Sequence, residues 1–228
     1  MAPAEALAGT ILPYLNGSVR ADNLRLLIGT NEMKYLPKND MENGLDHYDP
    51  EGRIFPGIAS VISAGGELTK RDILQILKWK LGRIKDSNVL TISERSLAAI
   101  NAAVKEACNA SRSISALKAL EMIPGIGLAT ATAILTVCYP EEYTIIDWRV
   151  LEALDLFPSR LPEDRHIEPN AADWTASEYI SEYLPQIKKQ RDVWNCSLRD
   201  TDRALWGLSV SNRISEIIGN STQARRID

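Results

Sequence analysis

The stretch Leu117-Lys-Ala-Leu-Glu-Met-Ile-Pro-Gly-Ile-Gly-Leu-Ala-Thr-Ala-Thr-Ala-Ile-Leu135 reads as two helices joined by a tight turn. Ser113 is placed to cap the first helix, which runs through Leu117 and Leu120 and stops at Ile123-Pro124-Gly125-Ile126-Gly127. The second covers Leu128–Val137, and Tyr139-Pro140 ends it. Small residues at Ala129, Ala131 and Ala133 let the two helices cross closely. Gly125 and Gly127 permit backbone conformations closed to other residues and leave no side chain in the way of a close approach. A helix start also offers unpaired N–H groups and the positive end of the helix dipole. Pro124, Gly125, Ile126, Gly127 and Ala129 are therefore expected to present backbone to a DNA phosphate, with the Thr130 hydroxyl beside them. The competing reading is a turn that only packs two helices in an unrelated α-helical protein.

The segments on either side are also helical in pattern. Thr69-x-x-Asp72 resembles a capping arrangement, and Ile73, Leu74, Ile76, Leu77, Leu81 and Ile84 follow on one apolar face. Another helix follows Thr91–Glu94, with Leu97, Ile100, Val104 and Cys108 on a single stripe. After the turn, Tyr143–Ile146 is a short apolar run leading into Asp147, and Trp148–Leu154 reads as helix capped by that aspartate. Thr175-x-x-Glu178 announces a helix interrupted at Pro185, and Leu198–Leu208 a last one with Leu205 and Trp206 facing inward; the tail after Ile218 reads as frayed. Short apolar helical patterns occupy 4–15 and 21–28. Residues 31–66 and 157–173, rich in Pro, Gly, Asn and Asp, read as loops. The expected fold is all-α, with two helical subdomains, a helix-hairpin-helix at 117–135 and a cleft between the subdomains. Residues 70–155 would form the hairpin subdomain, and 156–228 would pack with 1–69 to form the other.

Composition sets limits on function. The net charge of −4 argues against a protein that coats nucleic acid over its whole surface. Charge is uneven, however: six basic residues between Lys70 and Asp86 (Lys70, Arg71, Lys78, Lys80, Arg83, Lys85) face only Asp72 and Asp86. Lys80 and Arg83 are the candidate phosphate contacts of that helix. Trp79 between two lysines suits stacking and phosphate contact, or a core position among solvated lysines. Arg199 and Arg203 stand among Asp200 and Asp202, where local salt bridges are the simpler account. The three cysteines are scattered, with Cys108 and Cys138 in apolar helical context, and read as core thiols in a reducing compartment. With no CxxC pair, and with His47 and His166 isolated, a protein-bound metal centre is not expected. No signal-peptide pattern or membrane-length apolar run is present, so an intracellular, soluble and monomeric protein is expected.

Ile123-Pro-Gly-Ile-Gly-Leu-Ala-Thr-Ala followed by Ile145-Ile-Asp147 resembles the HhH-GPD superfamily of DNA base-excision glycosylases. The close resemblance covers Leu117 to Leu154, with a weaker likeness over Trp174–Ser209. It implies double-stranded DNA as partner and a base extruded into the cleft. Asp147 would take the catalytic aspartate position, stabilising positive charge on the sugar as the glycosidic bond breaks. Arg149 would contact phosphate or form a structural ion pair, and the wedge filling the gap in the duplex would lie within Leu81–Lys85. Members with lyase activity carry a lysine where Ala129 stands, so a monofunctional hydrolase is implied. Members with an iron–sulfur cluster carry four closely spaced cysteines, whereas Cys196 stands alone. No cofactor is implied beyond a monovalent cation on the hairpin backbone. The residues after the aspartate, Trp148-Arg149, depart from the usual pattern, and a non-catalytic DNA-binding protein of the same fold is the alternative reading.

Overall fold

The computed structural model describes residues 36–41, 54–81, 92–161 and 169–224, with side chains as far as Ile218. All of these belong to one compact unit, Leu36–Asp228. Every regular element among them is helical, as expected for an all-α protein. No helix among the described residues is long and apolar enough to cross a membrane.

Among the described residues eight main helices carry the fold: α1 Ile54–Ser63, α2 Lys70–Leu81, α3 Glu94–Ala107, α4 Ser113–Glu121, α5 Leu128–Cys138, α6 Trp148–Leu154, α7 Leu184–Trp194 and α8 Leu198–Ala224. Helix α5 is the centre, touched by α1, α2, α3 and α4, while α6 and α7 pack on α8. From Thr130 to Cys138 every residue of α5 is buried, so its threonines must satisfy their hydroxyls internally. Thr132 and Thr136 do so by donating to the carbonyls of Ala129 and Thr132, at 3.1 and 2.7 Å.

The sequence signals for helix starts are largely realised. Asp72 accepts hydrogen bonds from both the N–H and the hydroxyl of Thr69, and the Thr69 hydroxyl accepts from the Asp72 N–H. Thr175 and Glu178 form a full capping box. Ser93 caps α3. Ser113, however, is the first residue of α4 and not its cap: its hydroxyl pairs with the Tyr143 hydroxyl at 2.6 Å, a buried tertiary contact.

Other expectations are corrected by packing. Helix α1 lies inside the 31–66 stretch read as loop. Pro56 and Gly57, taken as breakers, fall in the first turn of α1, where the missing proline N–H has no helical acceptor to lose. Pro185 does not interrupt its helix either. A turn at Ala176–Glu178 passes into a π-helical segment, Tyr179–Tyr183, and then into α7, which begins next to the proline. The wider turn bonds the Leu184 N–H to the Tyr179 carbonyl and leaves room where a proline ring would crowd an α-turn. Helix α8 continues past Ile218 to Ala224. Of the cysteines, only Cys138 is a core thiol, its pKa pushed up to about 12 by burial. Cys108 is exposed, because α3 ends at Ala107 and turns the next residue outward. The patterns at 4–15 and 21–28 lie outside the described residues.

Candidate active site

Asp147, itself extended, stands at the end of a segment without regular secondary structure, Tyr143–Ile146, and no strand lies among the described residues to pair with it. Its backbone is held by side chains instead. The Tyr179 hydroxyl accepts from the Thr144 N–H at 3.2 Å and donates to the Thr144 carbonyl at 2.6 Å. The Tyr183 hydroxyl donates to the Ile145 carbonyl at 2.6 Å, and Thr132 of α5 accepts from the Ile146 N–H at 3.2 Å. The two tyrosine rings stack with centroids 5.5 Å apart, and burial drives both hydroxyls well above the usual tyrosine range. These clamps fix the chain one residue before the aspartate. Sequence reading missed Tyr179 and Tyr183; their spacing of four puts both on one face of a helix, which was the available signal.

One carboxylate oxygen of Asp147 accepts from the Arg149 N–H at 3.1 Å, so the residue caps α6 as expected. The other is paired with the ammonium of Lys80 from α2. Both side chains are largely buried, 12% exposed for Lys80 and 17% for Asp147. They line a cavity of about 200 Å³ together with Trp79, Ile145, Arg199, Asp202 and Trp206. Residues 199, 202 and 206 share one face of α8, the spacing of successive helical turns. Thus Lys80, expected as a phosphate contact, instead faces the carboxylate expected to be catalytic.

The far wall is also charged. Arg199 pairs with the buried Asp202, so the local salt bridge expected there is present, as is Arg203 with Asp200 at 3.2 Å. The Arg199 guanidinium also lies 4.5 Å from the Phe55 ring centroid and 5.3 Å from that of Trp79. Trp79 meets Phe55 edge-on at 5.1 Å. Burial pushes the Asp202 carboxyl up to about 6, against the opposing pull of Arg199, the Thr144 hydroxyl and Lys80, while the Asp147 charge adds to the rise. A carboxyl raised in the folded state stabilises the fold most when protonated, and that contribution fades as pH rises from about 4 to about 6. The stability of wild type relative to Asp202→Asn should therefore fall by at most about 3 kcal/mol across that window and stay level above it. Urea denaturation of both proteins from pH 4 to 8 checks this; parallel curves would remove the effect of burial at Asp202.

Arg149 is held by structure. Its guanidinium lies 4.4 Å from the Trp148 ring and 5.0 Å from the Trp206 ring, and it reaches the Ser209 hydroxyl at 3.5 Å. Arg213 continues this brace, 4.8 Å from Trp148 and paired with Glu152 at 2.6 Å. The brace locks α6 onto α8 and so fixes the start of α6, where Asp147 sits.

At the turn between α4 and α5, Gly125 has φ +84°, a conformation costly for any residue with a Cβ. Gly127 is different: it is extended, with φ −93° and ψ 177°, and a Cβ there would meet nothing within 4 Å. The turn residues Pro124, Gly125 and Gly127 are exposed, whereas Ile126 and Thr130 are buried, so Ile126 offers only backbone. Ala129 packs against the core. The carbonyls of Ile123 and Gly127 already accept N–H groups of Ile126 and of Thr130 and Ala131. No group of three or more His, Cys, Asp or Glu side chains among the described residues is arranged to hold a metal ion. Leu81, at the end of α2, is 47% exposed; the remainder of the expected wedge and Arg83 lie outside the described residues. The chain matches no family model, no curated protein and no solved structure.

Proposed function

We propose that this protein acts on double-stranded DNA as a glycosylase, hydrolysing the N-glycosidic bond of a damaged or mispaired base turned out of the duplex. The observation that carries the reading is the carboxylate of Asp147, fixed at the start of α6 and facing a small cavity between Trp79 and Trp206. At about 200 Å³ the cavity is smaller than the roughly 300–1,000 Å³ of sites for drug-sized ligands, a size for one base and its sugar. Indole walls suit a planar ring, and a fixed carboxylate stabilises the positive charge that develops on the sugar. In this reading the cavity between α2, α6 and α8 is the cleft between two helical subdomains.

The turn after α4 supports the same reading. Gly127 has neither a strained backbone nor a crowded Cβ position. Its lack of a side chain serves close approach from outside, as a DNA phosphate on a helix-hairpin-helix requires. Gly127→Leu is therefore expected to cost about 1 kcal/mol or less, the loss of a favourable N-cap residue of α5, and to weaken DNA binding. Gly125→Ala is expected to destabilise the fold by about 1–2 kcal/mol through its positive φ. Denaturation together with fluorescence anisotropy on a labelled duplex at low salt separates the two effects. Unchanged binding by Gly127→Leu would leave the turn a packing device. Catalysis is tested by incubating the protein with duplexes bearing different damaged bases and cleaving abasic sites with alkali.

A further inference from the structure

Both oxygens of Asp147 are engaged, one by the Arg149 N–H and the other by the Lys80 ammonium. That arrangement holds a negative charge still beside a sugar cation, which is one of the two tasks of a hydrolysis. The other is to take a proton from the attacking water, and it needs an acceptor facing the same space. A second carboxylate is there. Asp202 lines the cavity from α8, on the wall it shares with Arg199 and Trp206. It is buried, and the Arg199 guanidinium, one turn earlier on the same helix, pairs with it and fixes its direction. Arg203 and Asp200, the other pair of this turn, are partly exposed. Burying the Arg199–Asp202 pair carries a desolvation penalty that a surface pair avoids, and a role in the cavity gives that penalty a use.

The charged and titratable groups facing Asp202 come from three other elements as well as α8. Lys80 stands on α2, Asp147 at the start of α6, and Tyr179 and Tyr183 on the π-helical segment. Burial is the strongest influence on the Asp202 carboxyl and pushes it up to about 6; Arg199 and Lys80 pull against the rise and Asp147 adds to it. The tyrosine hydroxyls stay neutral around that pH, because burial drives both far above it. Near neutral pH Asp202 is therefore mainly a carboxylate that still binds a proton readily, the condition for a general base.

We infer that Asp202 is the catalytic base of the hydrolysis, taking the proton of the attacking water while Asp147 stabilises the sugar cation. The inference rests on the proposed action on DNA. The bond from C1′ to the base nitrogen breaks and its electron pair leaves with the base. A lone pair of the water oxygen forms the new bond to C1′, and one water proton passes to the Asp202 carboxylate. The departing base takes up a proton from solvent, and Asp202 returns its own to solvent. The products are a free base and an abasic deoxyribose, with no oxidant or reductant consumed. Two carboxylates in one cavity thus have separate roles, set by what each is held against.

The pH profile of base release tests this. Single-turnover release from a lesion-bearing duplex is measured between pH 5 and 9 for the full-length wild type and for Asp202→Asn, with anisotropy on the same duplex and denaturation curves alongside. The wild-type rate is expected to rise with pH through a midpoint near 6 and to level above it, because the base works only when ionised. Asp202→Asn is expected to bind the duplex as the wild type does, to release base about 10²- to 10⁴-fold more slowly, and to lose the rise near pH 6. Release at the wild-type rate by folded Asp202→Asn would overturn the proposal and leave the glycosylase reading intact. So would a wild-type rate that is level from pH 5 to 8, an arm that needs no variant and decides the matter even where Asp202→Asn fails to fold. Absence of release by the wild type from any lesion-bearing duplex would overturn the glycosylase reading and this inference with it.

Discussion

Asp147→Asn should keep the fold, at a cost in stability because the largely buried Lys80 ammonium loses its counter-charge, and keep its affinity for duplex DNA, while base release falls about 10²- to 10³-fold, the scale of losing one preorganised charge-stabilising group. The separation is possible because the aspartate does two jobs with two oxygens. One accepts the Arg149 N–H at the start of α6, and asparagine caps a helix as well as aspartate does. The other faces Lys80, and an amide there carries no charge to set against a sugar cation. Binding is expected to survive because the turn at Gly125–Gly127 belongs to a different part of the surface and uses backbone. Single-turnover release on a substrate of the wild type, with anisotropy and thermal denaturation alongside, measures all three quantities. Release at the wild-type rate would take Asp147 out of the chemistry and leave it a cap.

Gln190→Leu should cost about 2–4 kcal/mol, lowering Tm by roughly 5–15 °C. Gln190 lies on α7, 1% exposed, and its amide pairs with both backbone groups of Leu36. The side-chain oxygen accepts the Leu36 N–H at 3.0 Å, and the side-chain nitrogen donates to the Leu36 carbonyl at 2.8 Å. The Trp194 indole N–H donates to that same carbonyl. Leucine matches glutamine in size but offers neither group. The Leu36 N–H would then be buried without a partner, while the carbonyl would keep the indole. Most of the loss is therefore assigned to the orphaned donor. A change under about 1 kcal/mol by denaturation would mean that water replaces the glutamine.

The helices that own both their start and their apolar stripe were legible from sequence. Helix α2 announces itself at Thr69-x-x-Asp72, and α5 is bracketed by Gly127 and Pro140. The errors fall where a local rule met a tertiary one. Pro56 and Pro185 are breakers in isolation, but a first turn excuses one and a π-turn the other. Ser113 has the residue type of a cap and is drawn into the core by Tyr143.

At the site, Asp147 could be found because its cap position and its spacing from the turn are both local. Its partner could not. Lys80 sits in a basic run that reads as a solvated or phosphate-facing helix face, and only the packing of α2 on α5 turns it toward the carboxylate. Arg199 and Asp202 were read correctly as a pair and incompletely as a wall. Four charges of α8 within five residues satisfy one another locally, which hides that the same face closes a cavity.

The most direct measurement is base release by the wild-type protein across duplexes bearing alkylated, deaminated, oxidised and mispaired bases, with abasic sites revealed by alkali. The proposed function predicts strand breaks at the lesion for at least one of them. Tight binding to these duplexes with no release from any would contradict it and leave a non-catalytic DNA-binding protein in its place.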